Sequence, residues 1–460
     1  MSRVEMQGVE GITADSRAVR PGYLFAALPG VKSDGRRFIG EAVAKGAIAV
    51  LAPEGTMWPP GVPPRRLIIA QDARAKLAEL AVEFFGRLPE RLTAVTGTNG
   101  KTSTVDFLRQ ILALSGRGAA SIGTLGIIAP GRQPSGSLTT PDPVTLAQTL
   151  ARLANEGVSD VAMEASSHGL DQHRLDGLRF AAAGFTNLTR DHLDYHGSMK
   201  AYGAAKLRLF EVLLKRGGAA RVMTDVYPEL IEKIRECAAA NGQNFETVSV
   251  ERVVPRPNGQ MVHVKGKIVE LNLPGRFQAD NAALAASLAE AAGISNALGF
   301  LPQLVGVRGR LEQALVLPNG AAVYVDYAHT PDAIARVLSA LRPHASARLH
   351  IVCGAGGDRD PGKRPLMGIE AVKAADVVVV TDDNPRSEDP ALIRRAVMSA
   401  APGAIEIGDR RAAIAAALEG LREGDVLVVA GKGHEQGQII KGETIPFDDV
   451  ATIRELGGVS

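Results

Sequence analysis

The chain has 460 residues, of which 45% are hydrophobic and 22% are charged, a composition typical of soluble globular proteins. Its 52 basic and 50 acidic residues give a net charge of +2, so no broad cationic surface is available for nucleic acid or anionic lipid. Neither a secretory signal nor a membrane-length apolar stretch is present, and two cysteines cannot form a disulfide framework. We expect a cytoplasmic monomer that binds no nucleic acid and does not insert into a membrane.

Short apolar runs alternate with amphipathic stretches along the chain, a pattern typical of α/β folds, and the length predicts three domains. In the first segment we predict a strand at 67–70 and a helix at 72–87 with Asp72 as its N-cap. A buried strand at 91–95 then leads into a glycine-rich loop. The first domain is therefore predicted to end at residue 88.

The middle segment is predicted to contain a mostly parallel sheet whose strand ends lie together. The elements predicted after the glycine-rich loop are strands at 160–163, 182–186 and 221–224 and a helix at 281–292. A polar, glycine-containing stretch near residue 308 is suited to a linker. Beyond it, a Rossmann-like domain is predicted from strands at 322–326, 349–354, 376–381 and 425–430. The predicted domains are 1–88, 89–308 and 309–460.

The strongest motif is TGTNGKTS at 96–103, between a predicted strand and a predicted helix. Backbone N–H groups in such a loop bind phosphate, Lys101 neutralises charge, and Thr102 can offer its hydroxyl to Mg²⁺. Val95 stands where a full Walker A motif has glycine, so only the shorter core of that motif is present. A chance glycine-rich turn is the alternative, which the flanking strand and helix disfavour.

MEASSHGL at 163–170 places Glu164 at the end of an apolar strand, where a carboxylate suits a hard cation such as Mg²⁺. A Ser-His hydrolase is an alternative interpretation, but the segment lacks a G-x-S-x-G elbow. Helix N-capping by Ser166 or Ser167 is the other alternative, and it is compatible with a functional role.

TNLTRDHLDYHG at 186–197 concentrates polar residues directly after a strand, a position that favours a site. His192, Asp194 and His196 could form a zinc centre, although the absence of nearby cysteines favours Mg²⁺ with phosphate. Lys206 follows in an amphipathic helix predicted at 201–210. From the residues alone this lysine is predicted to be exposed.

Four segments of the third domain carry polar and charged residues directly after predicted strands, and two of them also contain glycines. Such loops suit a nucleotide or a carboxylate ligand, and simple turns are the alternative. The four segments are 326–332, 354–364, 383–386 and 431–435.

In this combination and order, the motifs resemble the Mur ligase family over essentially the whole chain. The motifs are TGTNGKTS, LTTPDP, MEASSHGL, TNLTRDHLDYHG, DNAALA, GRLE, DYAHTPD, GDRDPGKRPLM, DNPR and GKGHE. The resemblance implies an N-terminal α/β domain for a UDP-sugar and a central P-loop ATPase domain with a mostly parallel sheet. It also implies a C-terminal Rossmann-like domain that closes over ATP and holds an amino acid.

The resemblance further implies an ATP-dependent amide ligase of peptidoglycan precursor synthesis. A peptide carboxylate takes the γ-phosphate of ATP, and an amine attacks the resulting acyl phosphate. The implied catalytic residues are Lys101, Glu164, His192 and Lys206. In the family the lysine at this last position is carbamylated by CO₂, and the carbamate can ligate Mg²⁺. The implied magnesium ligands are Thr102, Glu164, His192 and carbamylated Lys206.

Three sets of binding residues are carried over from the family motifs. The ATP set is Gly97, Thr98, Asn99, Gly100, Lys101, Thr102, Ser103, Asn281, Arg310 and Asp326. The set for the UDP-muramyl peptide is Ser16, Thr139, Thr140, Ser166, Gln172 and Arg174. The amino-acid set is Arg359, Asp383, Asn384, Pro385, Arg386, Gly431 and Glu435. The chain departs from the usual family pattern at 31–33 and at 224–225.

The DNPR motif at 383–386 decides the amino acid that the resemblance implies. Arg386 can grip a carboxylate bidentately, and lysine has no second carboxylate. The implied reaction adds meso-2,6-diaminopimelate to UDP-N-acetylmuramoyl-L-alanyl-D-glutamate. Folylpolyglutamate synthetase and Mur ligases that add alanine, glutamate or a dipeptide are enzyme alternatives. A regulatory nucleotide-binding module is the alternative of another class.

Overall fold

The computed structural model describes residues 5–30, 33–131, 138–256 and 259–458, so Val31 and Lys32 of the divergent segment lie outside the described residues. The chain forms two compact units, one of Met1–Val248 with Leu284–Ala297 and the other of Ser249–Ala283 with Leu298–Ser460. None of the described helices is long and apolar enough to cross a membrane.

The first unit begins with a four-stranded parallel sheet in the order β1-β2-β3-β4. Its strands are Gly11–Thr13, Tyr23–Ala26, Ala49–Pro53 and Arg66–Ala70, and its helices are α1 (Ile39–Ala44) and α2 (Ala73–Phe85). Alternate residues of a strand face opposite sides, so Leu24 and Phe25 enter separate apolar clusters on the two faces. Asp72 caps α2 as predicted, because its side chain accepts the N–H groups of Arg74 and Ala75.

A seven-stranded sheet follows in the order β11-β10-β9-β5-β8-β6-β7, with only β7 antiparallel to its neighbour. Strands β5 to β11 are Arg91–Thr96, Ala119–Gly123, Gly126–Ile128, Asp160–Glu164, Phe180–Phe185, Leu214–Met223 and Asn244–Val248. The central strand β5 pairs in parallel with β8 on one side and β9 on the other. Parallel neighbours end at the same sheet edge, so the three polar motifs after these strands lie side by side.

Helices connect the strands of this sheet. They are α3 (Lys101–Leu114), α4 (Pro143–Asn155), α5 (Ser167–Asp171), α6 (Leu193–His196), α7 (Met199–Arg208) and α8 (Pro228–Ala240). A π-helical turn, Leu209–Leu213, extends α7. The long helix α9, Arg276–Ala291, contains the boundary between the two units.

The second unit opens with a three-stranded antiparallel sheet that the sequence did not predict, β12 (Arg252–Arg256), β13 (Gly259–Val264) and β14 (Lys267–Leu271). A six-stranded sheet follows in the order β15-β16-β20-β17-β18-β19, parallel except for β15. Its strands are Glu312–Val316, Ala322–Asp326, Leu349–Cys353, Val377–Val380, Ile405–Glu406 and Val426–Ala430, numbered in chain order.

Helices and one hairpin complete the second unit. The helices are α10 (Pro331–Leu341), α11 (Lys363–Ala374), α12 (Pro390–Met398), α13 (Arg410–Glu419) and α14 (Asp449–Leu456). The hairpin joins β21 (Gly437–Ile440) to β22 (Glu443–Pro446). The sheet buries Tyr324 and Val323 in different apolar clusters, so both of its faces are covered.

The prediction of α/β domains with mostly parallel sheets is confirmed, whereas several element bounds differ from those predicted. Helix α9 begins at Arg276 rather than at 281, directly after Pro274 and Gly275, which end the preceding turn. The predicted strand at 221–224 is the last part of β10, which begins at Leu214 across an irregular register. Helix α7 is shifted two residues towards the N-terminus relative to the prediction.

Candidate active site

The loop after β5 is shaped by glycine. Gly97 has φ 143° and Gly100 has φ 84°, and a Cβ on Gly97 would lie only 1.9 Å from Thr186 Oγ1. Only glycine therefore fits at position 97. The Lys101 Nζ donates to the carbonyl oxygens of Gly97 at 3.0 Å and Thr98 at 2.8 Å. The lysine thus lies along its own loop at the N-terminus of α3, the arrangement that binds phosphate.

The loop after β9 holds the loop after β5, the TGTNGKTS segment at 96–103 that we call the phosphate loop, in place. The Thr98 N–H donates to the Asn187 carbonyl oxygen at 2.8 Å, and the Thr189 N–H donates to Thr98 Oγ1 at 3.0 Å. Asn187 Oδ1 accepts the Asn99 N–H at 3.0 Å. The TGTNGKTS and TNLTRDHLDYHG motifs therefore form one interlocked structure.

Lys206 lies beneath the phosphate loop, so the prediction from the residues alone that it is exposed is wrong. Its side chain is 1% exposed, its Nζ donates to the Gly97 carbonyl oxygen at 2.7 Å, and it stands 4.4 Å from the Tyr202 ring centroid. Burial, together with the charge of Lys101, holds the pKa of Lys206 well below its usual value. A buried neutral amine is the form that CO₂ can carbamylate, so the site fits the implied modification.

Glu164 ends β8 and is 2% exposed. Its Oε1 accepts the Thr124 N–H at 2.7 Å, and its Oε2 accepts the Thr124 hydroxyl at 3.2 Å. A Cβ on Gly123 would lie 2.2 Å from Glu164 Oε1, so glycine leaves the space that the carboxylate occupies. The Thr124 hydroxyl also lies 3.1 Å from Thr139 Oγ1. Glu164 is therefore held in one orientation by a residue from the neighbouring strand end.

His192 belongs to a cluster of rings at the same sheet edge. It has φ 51° and is half exposed, and its ring centroid lies 4.9 Å from that of His168. His196 packs 5.5 Å from His168 and 5.2 Å from Tyr202 between ring centroids. Burial and the charge of His192 lower the pKa of His168. An imidazole nitrogen in its neutral form can ligate a cation.

The described residues contain no group of three His, Cys, Asp or Glu side chains arranged to hold a metal ion. The implied magnesium set draws only Glu164 and His192 from these residue types. Its other members are the Thr102 hydroxyl and the Lys206 carbamate. The oxygen donors of this set suit a hard cation.

Five of the six residues predicted for the UDP-muramyl peptide form one hydrogen-bonded network. Thr140 Oγ1 lies 2.9 Å from the Glu164 carbonyl oxygen and 3.0 Å from Ser166 Oγ. Arg174 donates to the Thr140 carbonyl oxygen at 2.7 Å and to Gln172 Oε1 at 2.7 Å. Thr139 joins through Thr124. The network thus connects the predicted substrate residues to the predicted metal carboxylate.

Ser16, the sixth residue, lies in the N-terminal sheet region. It is 8% exposed, and its hydroxyl donates to Glu41 Oε2 at 3.3 Å. Lys45 Nζ donates to the Ser16 carbonyl oxygen at 3.1 Å. Ser16 is thus held within its own local hydrogen-bond group.

In the second unit, two of the predicted nucleotide residues, Arg310 and Asp326, lie beside β16. Asp326 ends this strand, and its Oδ2 accepts the Leu311 N–H at 2.8 Å, while burial raises the pKa of Asp326. The Arg310 guanidinium stacks over the Tyr327 ring with Cζ 4.9 Å from the centroid. Asn281 is buried within α9. Arg310 and Tyr327 form a cationic and aromatic surface of the kind that can bind a nucleotide.

The predicted amino-acid residues lie on three interlocked loops after β17, β18 and β20. The Arg386 guanidinium donates to the Gly357 carbonyl oxygen at 2.7 Å. A Cβ on Gly357 would lie 2.0 Å from the Pro385 carbonyl oxygen, so these two loops touch. Asn384 Nδ2 donates to Glu435 Oε2 at 2.8 Å. The three loops come from adjacent parallel strands and therefore meet at one sheet edge.

The remaining members of this set differ in burial. Burial raises the pKa of Asp383, and a Cβ on Gly431 would lie 2.5 Å from Asp383 Oδ2. Arg359 is exposed on its loop. Gly431 therefore permits a close approach, whereas Arg359 is placed to meet a ligand from solvent.

Sequence reasoning assigned no role to Thr124, Tyr202 or Lys432. Thr124 orients Glu164, Tyr202 covers the amino group of Lys206, and Lys432 is fully buried among the amino-acid residues. One signal was available for Tyr202, because residues four apart on a helix lie on the same face. No comparable local signal exists for Thr124, whose partner lies 40 residues away.

Comparison with known proteins gives consistent matches along the chain. The family model described as Mur ligase family, catalytic domain, matches residues 8–84, the Mur ligase middle domain matches 95–289, and the Mur ligase, glutamate ligase domain matches 309–433. A relative from Caulobacter vibrioides, named UDP-N-acetylmuramoyl-L-alanyl-D-glutamate--2,6-diaminopimelate ligase, is 54% identical, covering 98% of this chain and 96% of the relative. A relative of the same name from Agrobacterium fabrum is 50% identical, with 99% and 94% covered.

Solved structures of Mur ligases also align with this chain. A structure of UDP-N-acetylmuramoyl-L-alanyl-D-glutamate--2,6-diaminopimelate ligase aligns with a TM-score of 0.74 and 34% identity, covering 98% of this chain and 95% of that one. The MurF ligase from Thermotoga maritima in complex with ADP shares the fold, with a TM-score of 0.63 and 18% identity over 98% of each chain. From the matched domains and the near-complete relatives, the chain belongs to the Mur ligase family.

Proposed function

We propose that this chain adds meso-2,6-diaminopimelate to UDP-N-acetylmuramoyl-L-alanyl-D-glutamate at the expense of ATP, as a cytoplasmic monomer of peptidoglycan precursor synthesis. The observation that carries the proposal is the meeting of two lysines at the phosphate loop. Lys101 Nζ and Lys206 Nζ donate to the same Gly97 carbonyl oxygen. The names of the 54% and 50% identical relatives support the choice of substrates.

The reaction proceeds in two steps. The peptide carboxylate attacks the γ-phosphorus of ATP, and the bond from that phosphorus to ADP breaks. The amine of the amino acid then attacks the acyl carbon, phosphate leaves and the amine loses a proton. Lys101 stabilises negative charge on the transferring group, because its ammonium group is already held beside the loop. The loop N–H groups and α3 orient the phosphates.

Mg²⁺ supplies charge neutralisation at the phosphates when it is bound. Glu164, Thr102, His192 and carbamylated Lys206 would hold it. Thr124 keeps the Glu164 carboxylate in a fixed orientation. The loop residues Gly97–Ser103 of the first unit are proposed to bind ATP, and so are Asn281, Arg310 and Asp326 of the second unit.

The substrates are assigned to three proposed domains, 1–88, 89–308 and 309–460. Ser16 and the Thr139, Thr140, Ser166, Gln172 and Arg174 network bind the UDP-muramyl peptide. The amino-acid site is formed by Arg359, the DNPR segment 383–386, Gly431 and Glu435. Arg386 is held for this role by its bond to Gly357 and grips the far carboxylate of diaminopimelate.

The deciding experiment measures phosphate release with ATP, Mg²⁺ and UDP-N-acetylmuramoyl-L-alanyl-D-glutamate. Reactions containing meso-diaminopimelate, L-lysine or no amino acid are compared, and products are identified by mass spectrometry. We expect turnover only with diaminopimelate. Turnover with lysine would overturn the assignment of Arg386. Absence of phosphate release with every amino acid would favour a nucleotide-binding module.

A further inference from the structure

Lys432 is a fully buried lysine that has no part in the proposed reaction. It follows β20, its side chain is 0% exposed, and burial lowers its pKa against the opposing attraction of Asp383. Removing an ammonium group from water is costly, so a lysine in such a place requires specific compensating partners.

The partners of Lys432 are residues of the proposed amino-acid site. Its Nζ donates to Asn384 Oδ1 at 3.0 Å. It also lies 3.9 Å from Asp383 Oδ1 and 3.8 Å from Glu435 Oε2. The lysine therefore stands between two loops, the one after β18 that carries DNPR and the one after β20 that carries Glu435.

These contacts fix the Asn384 amide in one orientation. Asn384 Oδ1 accepts from both Lys432 Nζ and the Ile439 N–H, the latter at 2.9 Å. Two donors on one atom identify it as the oxygen, so the amide nitrogen must point the other way. There it donates to Glu435 Oε2 at 2.8 Å. Asn384 is 5% exposed, and its side-chain amide bonds Lys432, Glu435 and the Ile439 N–H.

Ile439, which donates to Asn384, also bonds the backbone of Arg386. The Arg386 N–H donates to the Ile439 carbonyl oxygen at 2.9 Å, and Arg386 has φ 52°, a left-handed conformation that arginine rarely adopts. Strand β21 therefore connects the amide of Asn384 to the backbone of Arg386. Glu435 remains one-third exposed, so the carboxylate that Asn384 orients is still within reach of a ligand.

We propose that Lys432 is a positioning residue for amino-acid selection, which orients Glu435 and Arg386 through the side chain of Asn384. Glu435 then presents negative charge to an ammonium group, and Arg386 presents positive charge to a carboxylate. The inference rests on the proposed function, because it concerns the choice of amino acid by that reaction.

The test is the full-length variant Lys432→Met, which keeps the volume of the side chain and removes its charge. We expect the KM for meso-diaminopimelate to rise at least about tenfold, the loss typical of a hydrogen bond to a charged group, with the KM for ATP unchanged within about twofold. Lys373→Met is the matched control, because that lysine is 72% exposed on α11. Lys432→Gln, which retains a donor for Asn384, should restore part of the affinity.

A double-mutant cycle separates positioning from general damage. Because Lys432 acts partly through Glu435, Lys432→Met combined with Glu435→Gln should raise the KM by less than the product of the two single rises. Additive losses, or an equal rise in the KM for ATP, would overturn the inference. The cycle is run with Lys432→Gln if thermal unfolding shows that methionine disrupts the fold. Absence of diaminopimelate turnover in the unaltered protein would instead overturn the proposed function.

Discussion

The amino group of Lys206 lies 2.7 Å from the carbonyl oxygen of Gly97, 109 positions earlier in the chain. This contact joins α7 to the phosphate loop and leaves the lysine amine without access to bulk water. Burial and the charge of Lys101 therefore favour the neutral amine directly below the proposed phosphate site.

Replacing Lys206 by arginine should abolish the carbamate and with it the reaction. Arginine keeps a positive charge but cannot carry the modification, so we expect turnover to fall at least about a hundredfold through lost metal binding. Carbon-13 NMR of protein equilibrated with labelled bicarbonate should show a carbamate resonance that Lys206→Arg lacks. Lys215→Arg, an exposed lysine, is the control. A resonance that survives in Lys206→Arg would contradict the assignment.

Thr124→Val should weaken the magnesium site without unfolding the protein. The change removes the hydroxyl bond to Glu164 Oε2 and keeps the backbone bond to Oε1. One lost hydrogen bond of this kind predicts a rise of about threefold to thirtyfold in the Mg²⁺ concentration for half-maximal turnover. The exposed Thr145→Val serves as control. An unchanged Mg²⁺ requirement would show that Thr124 does not position Glu164.

Gly97→Ala should eliminate nucleotide binding, because the new Cβ would meet Thr186 Oγ1 at 1.9 Å. Gly116→Ala is a matched control, since Gly116 also has a positive φ, 87°, but has open space around it. The control should lose about 1 kcal/mol of unfolding free energy from backbone strain and keep its ATP affinity. Calorimetric titration with ATP distinguishes the two. Equal ATP affinity in both variants would refute the role given to the close contact.

Arg386→Ala should raise the KM for meso-diaminopimelate at least about tenfold and leave the KM for ATP within about twofold. Arg386→Lys should not restore the lost affinity, because an ammonium group cannot reproduce the bidentate fork. Arg395→Ala, at an exposed position on α12, controls for loss of a positive charge. Equal loss of both affinities would argue for damage to the whole domain.

Asp425→Asn should destabilise the second unit at neutral pH. Burial alone would raise the pKa of Asp425, but the N–H groups of Arg422 and Arg348 and the Arg348 side chain lower it to about 2. The folded-state value lies below the unfolded value of 3.8, so this stabilisation is present above pH 3.8 and is lost as pH falls towards 2.

We expect Asp425→Asn to cost about 1–3 kcal/mol at pH 7 and progressively less between pH 4 and 2. Denaturant unfolding followed across this pH range measures the difference. Asp332→Asn, at a position where the side chain is 68% exposed, is the control. A constant difference at every pH would exclude the carboxylate charge as the cause.

The positions of the polar motifs could be predicted because each follows an apolar run that reads as a strand. β5, β8 and β9 end at Thr96, Glu164 and Phe185, and the motifs begin there. The burial of Lys206 could not be predicted from the residues of its helix, since it depends on Gly97 from another strand end. Only the resemblance to the Mur ligases pointed to a role for this lysine.

The antiparallel sheet at 252–271 escaped prediction for a different reason. Its middle strand alternates buried Val262 and Val264 with partly exposed Met261 and His263, while the outer strands carry exposed charges such as Arg252 and Lys267. Three short strands of this kind give little apolar signal. Lys432 was missed because burial of a charge depends on partners that only the fold assembles.

Thr140 contacts Glu164 through its hydroxyl and Arg174 through its carbonyl oxygen. One residue thus contacts both the main chain of the glutamate assigned to the metal and the network assigned to the muramyl peptide. Coupling between two binding equilibria is reciprocal. If the peptide raises the affinity for Mg²⁺ by some factor, Mg²⁺ must raise the affinity for the peptide by the same factor. Binding of either ligand would therefore report on the other before any phosphate is transferred.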